Sequence, residues 1–432
     1  MLTREENERL TRVGRGTPMG ELVRRFWLPF LLVSDLSEPD GAPVRVTLLG
    51  ERLLAFRDSS GRIGLIDRAC AHRCADLFFG RNEEDGLRCT YHGWKYDVEG
   101  KCVDMPTEEP ENSFKDHIRI TAYPVRERAG ILWTYMGPQG QIPELPEFEW
   151  ARVPERHRFT SWNYQQNNFV QAIDGGIDTI HSIFLHSNLD SHRRLDDWQA
   201  QGKRTGDPRL VHRVRTNPPK LFAKDTDYGV LIGGKYKGQE GQDYWRYNNF
   251  LLPFYTMPPG GGSGPNKKIA HAFVPIDDNN CMRWVFTWNI AEPLSAREVA
   301  EMRAGSSVHV EFIPGTHYPA RNMSNDYLID RELQKTLTYT GIKGIGEQDF
   351  SVQEGMGPLV DRTKEHLGSS DIGIVAMRRR LLKAAADLQE GAPPYAALHG
   401  DVYRVRSTEL LLPSGDSWDD NEQLKKAMAA TW

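Results

Sequence analysis

The chain of 432 residues changes its spacing of apolar positions several times, and each change marks a different kind of element. Behind Thr17-Pro18, an N-cap followed by proline in the first turn, Met19, Leu22, Val23, Phe26 and Trp27 recur at i, i+3, i+4, i+7 and i+8. That spacing predicts a helix whose apolar face packs on something large. From Val44 the pattern becomes strand-like. Val44 to Leu49 and Leu53 to Asp58 flank Gly50-Glu51, and Ser59-Ser60-Gly61 turns into Arg62 to Asp67. Trp94 to Val98 and Cys102 to Met105 flank Glu99-Gly100, and Ile118 to Val125 and Ile131 to Tyr135 flank Ala129-Gly130. The segment from Pro138 to Pro146 reads as a linker.

The helical period then returns. Phe169, Ile173, Ile177, Ile180 and Phe184 form one apolar stripe, with Asn168, Asp174, Asp178 and His181 on the polar face. Tyr228 to Gly233, Tyr244 to Leu252, His271 to Pro275 and Arg283 to Trp288 read as antiparallel strands, and Pro258 to Pro265 as a mobile glycine-rich loop. Ser295 and Glu298 make a capping box that opens a helix, and another is predicted from Asp371 through Leu382. Strands followed by flanking helices give an α+β class. The expected organisation is a helical segment over 1–39 packing on the second domain, an all-β domain over 40–145, and the second domain over 146–432.

Composition narrows the function classes. A net charge of -5 and the lack of a basic stripe argue against nucleic-acid binding. The start, Met-Leu-Thr-Arg-Glu-Glu-Asn, has no apolar core for a signal peptide, and no apolar run approaches a membrane span, so a cytoplasmic protein is expected. Five cysteines, Cys70, Cys74, Cys89, Cys102 and Cys281, do not resemble a disulfide framework.

Two of those cysteines belong to the clearest motif. Cys70-x-His72 is followed, after sixteen intervening residues, by Cys89-x-x-His92. Each pair mixes a thiolate with an imidazole, whereas a structural zinc site, the alternative, usually groups its cysteines in one loop and its histidines in another. In a Rieske [2Fe-2S] centre two His replace two Cys on one iron. The stretch from Cys70 to His92, followed by Gly93-Trp94-Lys95-Tyr96-Asp97, closely resembles the Rieske motif. The whole chain resembles the Rieske non-haem iron aromatic ring-hydroxylating oxygenases, in particular the phthalate dioxygenase-like oxygenase (alpha) subunits. The respiratory Rieske proteins, with an extra disulfide-forming Cys beside each ligand pair, fit less well. Cys74 departs from the glycine expected there and is read as a small buried apolar group beside the cluster.

The second motif is Asp178-x-x-His181-x-x-x-x-His186. His186 lies about 140° from His181 on a regular helix, so both imidazoles reach one metal only if the helix widens or ends between them. Two His and a carboxylate with open positions form the facial triad that binds Fe(II) and activates oxygen. The family shows this motif too, and Asn168, Gln171 and Asp174 look like its upstream pattern. The resemblance places the missing carboxylate far downstream, in a helix, where Asp349 of Gly346 to Gly355 corresponds to it; spacing alone leaves Glu347 and Glu354 open.

The resemblance implies an all-β Rieske domain inserted in a catalytic domain of helix-grip type. It implies a terminal oxygenase with a [2Fe-2S] cluster and a mononuclear Fe(II), working on an aromatic substrate and O2 by ring hydroxylation, dihydroxylation or O-demethylation. It also implies a homotrimer or dimer of trimers in which each cluster serves a neighbouring iron, with Asp178 bridging the two centres. The chain has no Gly-x-Gly-x-x-Gly fingerprint and no cysteine set for a plant-type ferredoxin, so electrons must come from a separate flavin-containing reductase with a ferredoxin-type cluster, using NAD(P)H. Substrate contacts are expected at Asn168 and at Arg246, on a predicted strand where a guanidinium suits a carboxylate; Lys235 and Arg209 are weaker candidates. The rival is a Rieske electron carrier without oxygen chemistry.

Overall fold

A computed structural model describes residues 2–109, 113–189, 218–238, 241–260 and 266–432. Arg209 and residues 261–265 of the expected loop lie outside them. The described chain forms two compact units, one of residues 1–12, 146–273 and 279–432, the other of residues 13–145 and 274–278. Residues 13–39, expected with the second domain, therefore fall with the all-β unit. The reason is the strand Trp27–Leu32, which pairs antiparallel with Ile131–Tyr135. The helix behind Thr17 stops at Val23, four residues short of the periodic stripe. Pro29 biases Leu28 toward extended backbone, and pairing with Ile131–Tyr135 claims the apolar residues that the helical spacing also fitted.

In the all-β unit, Val44–Leu48, Glu51–Arg57, Ile63–Asp67 and Ala122–Tyr123 make one four-stranded sheet, and Arg81–Glu83, Gly86–Arg88, Lys95–Tyr96 and Cys102–Asp104 another. Leu54, Phe56, Ile66, Leu77, Leu87 and Tyr96 pack between them. The hairpin at Val274–Asp278 joins this unit through hydrogen bonds from Leu49 N to Pro275 O (3.2 Å) and from Gly50 N to Ile276 O (2.7 Å).

The larger unit is built on an eight-stranded sheet. Its path runs Arg158–Gln165, Cys281–Asn289, Lys267–Pro275, Tyr255–Met257, Gln242–Leu251, Gly229–Lys237, Lys220–Asp225. Thr408–Pro413 shares one edge of Gln242–Leu251 with Tyr255–Met257, pairing Gln242 to Tyr247 while the latter pairs Asn249 to Leu251. The helices Phe169–Ile177, Ile345–Gln353 and Ile372–Gln389 belong to the same unit. Asp174 anchors the first of these: Arg378 donates to both its oxygens (3.0 and 2.6 Å) and Arg362 to one (3.2 Å). Among the described residues, no helix is long and apolar enough to cross a membrane.

Candidate metal centres

The two Cys-His pairs sit on tight turns, one after Ile63–Asp67 of the first small sheet and one after Gly86–Arg88 of the second. Cys74 N donates to Cys70 O (2.8 Å) and Cys70 N to Ala75 O (2.9 Å); Gly93 N donates to Cys89 O (3.0 Å) and Cys89 N to Trp94 O (2.8 Å). Both thiols are buried, at 1% exposure for Cys70 and 4% for Cys89, while His72 is exposed and His92 half-buried. The imidazoles meet edge to face with ring centres 4.4 Å apart, and His72 stacks on Trp94 at 4.6 Å. Two inward sulfurs and two outward imidazoles fit a binuclear cluster with one cysteine-held and one histidine-held iron. The Tyr96 hydroxyl lies 3.2 Å from Cys70 Sγ and accepts from Ala71 N (3.1 Å). Burial, with Cys70 alongside, pushes this phenol above its usual range, so it stays a proton-bearing neighbour of the sulfur.

Cys74 is exposed rather than buried. It closes the first turn at φ +56°, a left-handed conformation that costs a residue with a Cβ about 1–2 kcal/mol, which is why glycine suits this position. The second turn is clamped by Arg88, which donates to Gly93 O (2.8 Å), Asp104 Oδ2 (2.7 Å) and Glu83 Oε1 (2.9 Å).

The first turn leans on Asp76, whose oxygens accept from Arg68 Nε (2.8 Å) and Nη2 (2.5 Å) and from Phe78 N (3.0 Å). The Arg68 hydrogen bonds outweigh burial and hold this carboxyl down at about 2, against an ordinary 3.8. Because the shift is downward, the pair's contribution is complete above pH 3.8 and is lost as pH falls toward about 2. Asp76→Asn should therefore melt below the parent at neutral pH, with the gap closing on acidification. Thermal melts across that range check it, and a constant gap would show that the turn does not depend on the charge.

The second constellation forms where the helix Phe169–Ile177 ends. Gly175-Gly176 precede the end, Asp178 caps it, and a separate 3₁₀ turn, His181–Ile183, follows. Ile180 and Phe184 thus leave the predicted helical stripe, and the break brings the two imidazoles together. His181 Nε2 and His186 Nε2 are 3.1 Å apart, and Asp349 Oδ1, from Ile345–Gln353, lies 3.6 and 3.2 Å from them. This is the group of three metal-capable side chains found among the described residues. Each ring is oriented from behind. His186 Nδ1 meets Gln348 Oε1 at 2.7 Å, and Gln348 Nε2 donates to Ile342 O (2.8 Å). His181 Nδ1 faces Asp178 Oδ2 at 3.7 Å, while Asp178 Oδ1 accepts from Ile180 N (2.7 Å) and His181 N (3.4 Å). Burial raises the Asp178 carboxyl, but His181 and the two amides outweigh it and hold it below its ordinary value. Such backing fixes the orientation of a ligating imidazole.

The other two carboxylates that spacing left open point elsewhere. Glu347, fully buried, has Arg321 Nη1 at 3.5 Å, and Glu354 accepts from Gln166 N (2.9 Å) and from the Tyr327 hydroxyl. Burial raises both above the ordinary carboxylate value, whereas at Asp349 the His186 hydrogen bond and the nearby positive charges overcome burial and lower it.

The expected substrate contacts fare differently. Asn168 caps Phe169–Ile177, accepting from Val170 N (3.0 Å) and donating to Thr11 O (3.0 Å), so its amide is engaged by the backbone. Arg246 is on the sheet face that reaches this helix, since Asn248, two residues on, donates to Ile177 O (3.0 Å). Its guanidinium is already engaged by Glu409 (3.2 Å), its cross-strand partner, and by Pro259 O (2.9 Å). Lys235 pairs with Asp243 at 2.6 Å, on the opposite face. Gln348 was not singled out in the sequence, although it adjoins Asp349; Glu409 carries no sequence signal, because only strand pairing brings it to Arg246.

Two family models match the chain in succession. A family model described as Rieske [2Fe-2S] domain matches residues 26–124, and one described as LigXa C-terminal domain like matches residues 134–430. The chain is 38% identical to the 3-chlorobenzoate-3,4-dioxygenase oxygenase subunit of Comamonas testosteroni, covering 97% of each protein. It is 37% identical to the phthalate 4,5-dioxygenase oxygenase subunit of Pseudomonas putida, over 97% of this chain and 94% of that one. Among solved structures, the terminal oxygenase of carbazole 1,9a-dioxygenase from Novosphingobium sp. KA1 shares the fold, with a TM-score of 0.55 and 21% identity over 87% of this chain and 97% of that one.

Proposed function

The chain belongs to the Rieske non-haem iron oxygenases, as an oxygenase subunit of the phthalate dioxygenase-like group, and from that premise we propose that it oxidises an aromatic acid. It is a terminal oxygenase with a Rieske [2Fe-2S] cluster and a mononuclear iron; the match over residues 134–430 favours this over a small electron carrier. In this proposal Cys70, His72, Cys89 and His92 hold the cluster, and His181, His186 and Asp349 hold the iron. The observation that carries it is the convergence of His181 Nε2, His186 Nε2 and Asp349 Oδ1 from two elements far apart in sequence. When bound, the two centres supply single-electron delivery and oxygen activation.

The protein's own residues orient the ligands. Asp178 and Gln348 set the two imidazoles. An aromatic acid is favoured because the two relatives named above are a chlorobenzoate and a phthalate dioxygenase subunit. The way the pocket holds the ring then decides between dihydroxylation, monohydroxylation and O-demethylation. Electrons arrive from a separate component, read here as a flavin-containing, NAD(P)H-dependent reductase with a ferredoxin-type cluster. The three cysteines outside the proposed cluster, Cys74, Cys102 and Cys281, form no disulfide, which suits a reducing compartment and supports reading the protein as cytoplasmic.

The active unit is read as a homotrimer or dimer of trimers, with Asp178 accepting a hydrogen bond from His92 of the partner subunit. Exposed aromatic rings at both centres support such a contact surface: Tyr91 beside His92, and Phe184 with Tyr339 beside His186. The test is a metal assay followed by a substrate screen. The reading expects two irons and two acid-labile sulfides from the cluster plus one further iron per chain. It also expects oxygen uptake, with a reductase present, stimulated by a benzoate, phthalate or methoxylated benzoate. Two irons and no stimulation by any of them would sink it.

A further inference from the structure

The inner face of the catalytic sheet carries polar groups for which the fold itself has no use. His271 is 7% exposed, and neither ring nitrogen has a hydrogen-bond partner among the described residues. It stands opposite Thr256, whose buried Oγ1 is also without a partner there, and Thr256 in turn stands opposite Phe250. Side chains alternate along a strand, so this row shares the face on which Asn248 reaches the end of Phe169–Ile177. The neighbouring strand bears Arg283, 2% exposed, which donates through Nη2 to Val308 O (3.0 Å) and lies 5.2 Å over the ring of Phe350, the residue after Asp349. Its Nη1 has no partner among the described residues.

Buried polar groups are nearly always hydrogen-bonded, so several orphans on one face beside the metal-capable trio point to a ligand that accepts hydrogen bonds. Charge identifies its class. The carboxylates whose fields reach Arg283 are Asp349 and Glu347. Asp349 already faces the two imidazoles at 3.6 and 3.2 Å, and Glu347 has Arg321 at 3.5 Å. Arg246, by contrast, already has Glu409. A buried guanidinium without a counter-ion is costly, and an incoming anion removes that cost.

We propose that His271 and Arg283 receive the carboxylate of the aromatic substrate, an imidazole N–H and guanidinium Nη1 donating to its oxygens, and that this pair rather than Arg246 selects acids over neutral aromatics. The assignment rests on the aromatic-acid reading of the same site. Its test is calorimetric titration of the metal-loaded enzyme, under anaerobic conditions, with 3-chlorobenzoate, phthalate and the neutral 3-chlorobenzamide. His271→Phe should weaken binding of the acids at least tenfold and change amide binding less than twofold. His271→Gln, which keeps a donor, should retain most of the acid affinity. An unaltered circular dichroism spectrum and melting temperature check that each variant is folded. Equal weakening of acid and amide, or unchanged acid binding in His271→Phe alongside its loss in Arg246→Met, overturns the assignment. Failure of the parent enzyme to bind either acid would instead overturn the aromatic-acid reading, a result visible before any variant is made.

Discussion

Asp349→Ala should lose one iron per chain and all turnover, while acid-labile sulfide and the visible spectrum of the cluster stay as in the parent. The geometry gives the reason. Asp349 Oδ1 lies 3.6 and 3.2 Å from the two Nε2 atoms and provides the only negative charge of the trio. Two neutral imidazoles cannot neutralise a divalent ion, so the loss in affinity should exceed the roughly 10–100-fold typical of an outer-shell change. Glu347→Ala is the control, because that carboxyl faces Arg321 rather than the imidazoles. If Asp349→Ala keeps its third iron and Glu347→Ala loses it, the ligand has been misassigned. Because the proposed cluster ligands lie within residues 70–92, in the other compact unit, circular dichroism and a melting temperature are needed to separate either result from unfolding of the unit that holds Asp349.

Asp178→Asn should retain every metal and accept electrons at the cluster normally, yet form product in a single turnover orders of magnitude more slowly. Asp178 has two structural duties and one proposed functional one. Its Oδ1 holds the turn by accepting from Ile180 N and His181 N, and an asparagine carbonyl can do the same. Its Oδ2 faces His181 Nδ1 at 3.7 Å, and there an amide nitrogen would present a donor to a donor. The substitution thus spares the fold while removing the charge and the acceptor through which Asp178 is proposed to link His181 to His92 of the partner subunit. Rapid-mixing measurements of cluster reoxidation against product formation separate the two steps. Near-normal turnover in the fully metallated variant would remove the link and with it the residue-level case for an oligomeric active unit.

What the sequence revealed followed the distance between cooperating residues. Cys70, His72, Cys89 and His92 fall on two adjacent turns, so their spacing alone carries the chemistry. The His181–His186 spacing signalled a helix that must break, and the chain does break at Asp178. Asp349 was visible only through resemblance, because no local pattern links it to the two histidines. Asn168 shows why a cap is hard to tell from a ligand contact: both call for the same amide, and here that amide accepts from Val170 N and donates to Thr11 O. The helix expected through Trp27 failed because a short apolar run fits a strand as well as a helix, and the long-range pairing with Ile131–Tyr135 decided it. His271 and Arg283 were unreadable, since an alternating strand does not show which of its polar residues lacks a partner.

The way the two units divide the chain fixes the order in which a growing polypeptide acquires its metal sites. Nearly all of the cluster-bearing unit is one run, residues 13–145, completed later by the hairpin at Val274–Asp278. The larger unit must wait for much more: Asp349 comes far behind His186, and Thr408–Pro413, further along still, pairs with the strand Gln242–Leu251. At ribosomal speeds of about 5–20 residues per second, the cluster loops emerge many seconds before the last iron-site carboxylate exists. The residues of the proposed cluster site are therefore all present on the nascent chain well before the three side chains of the proposed iron site are.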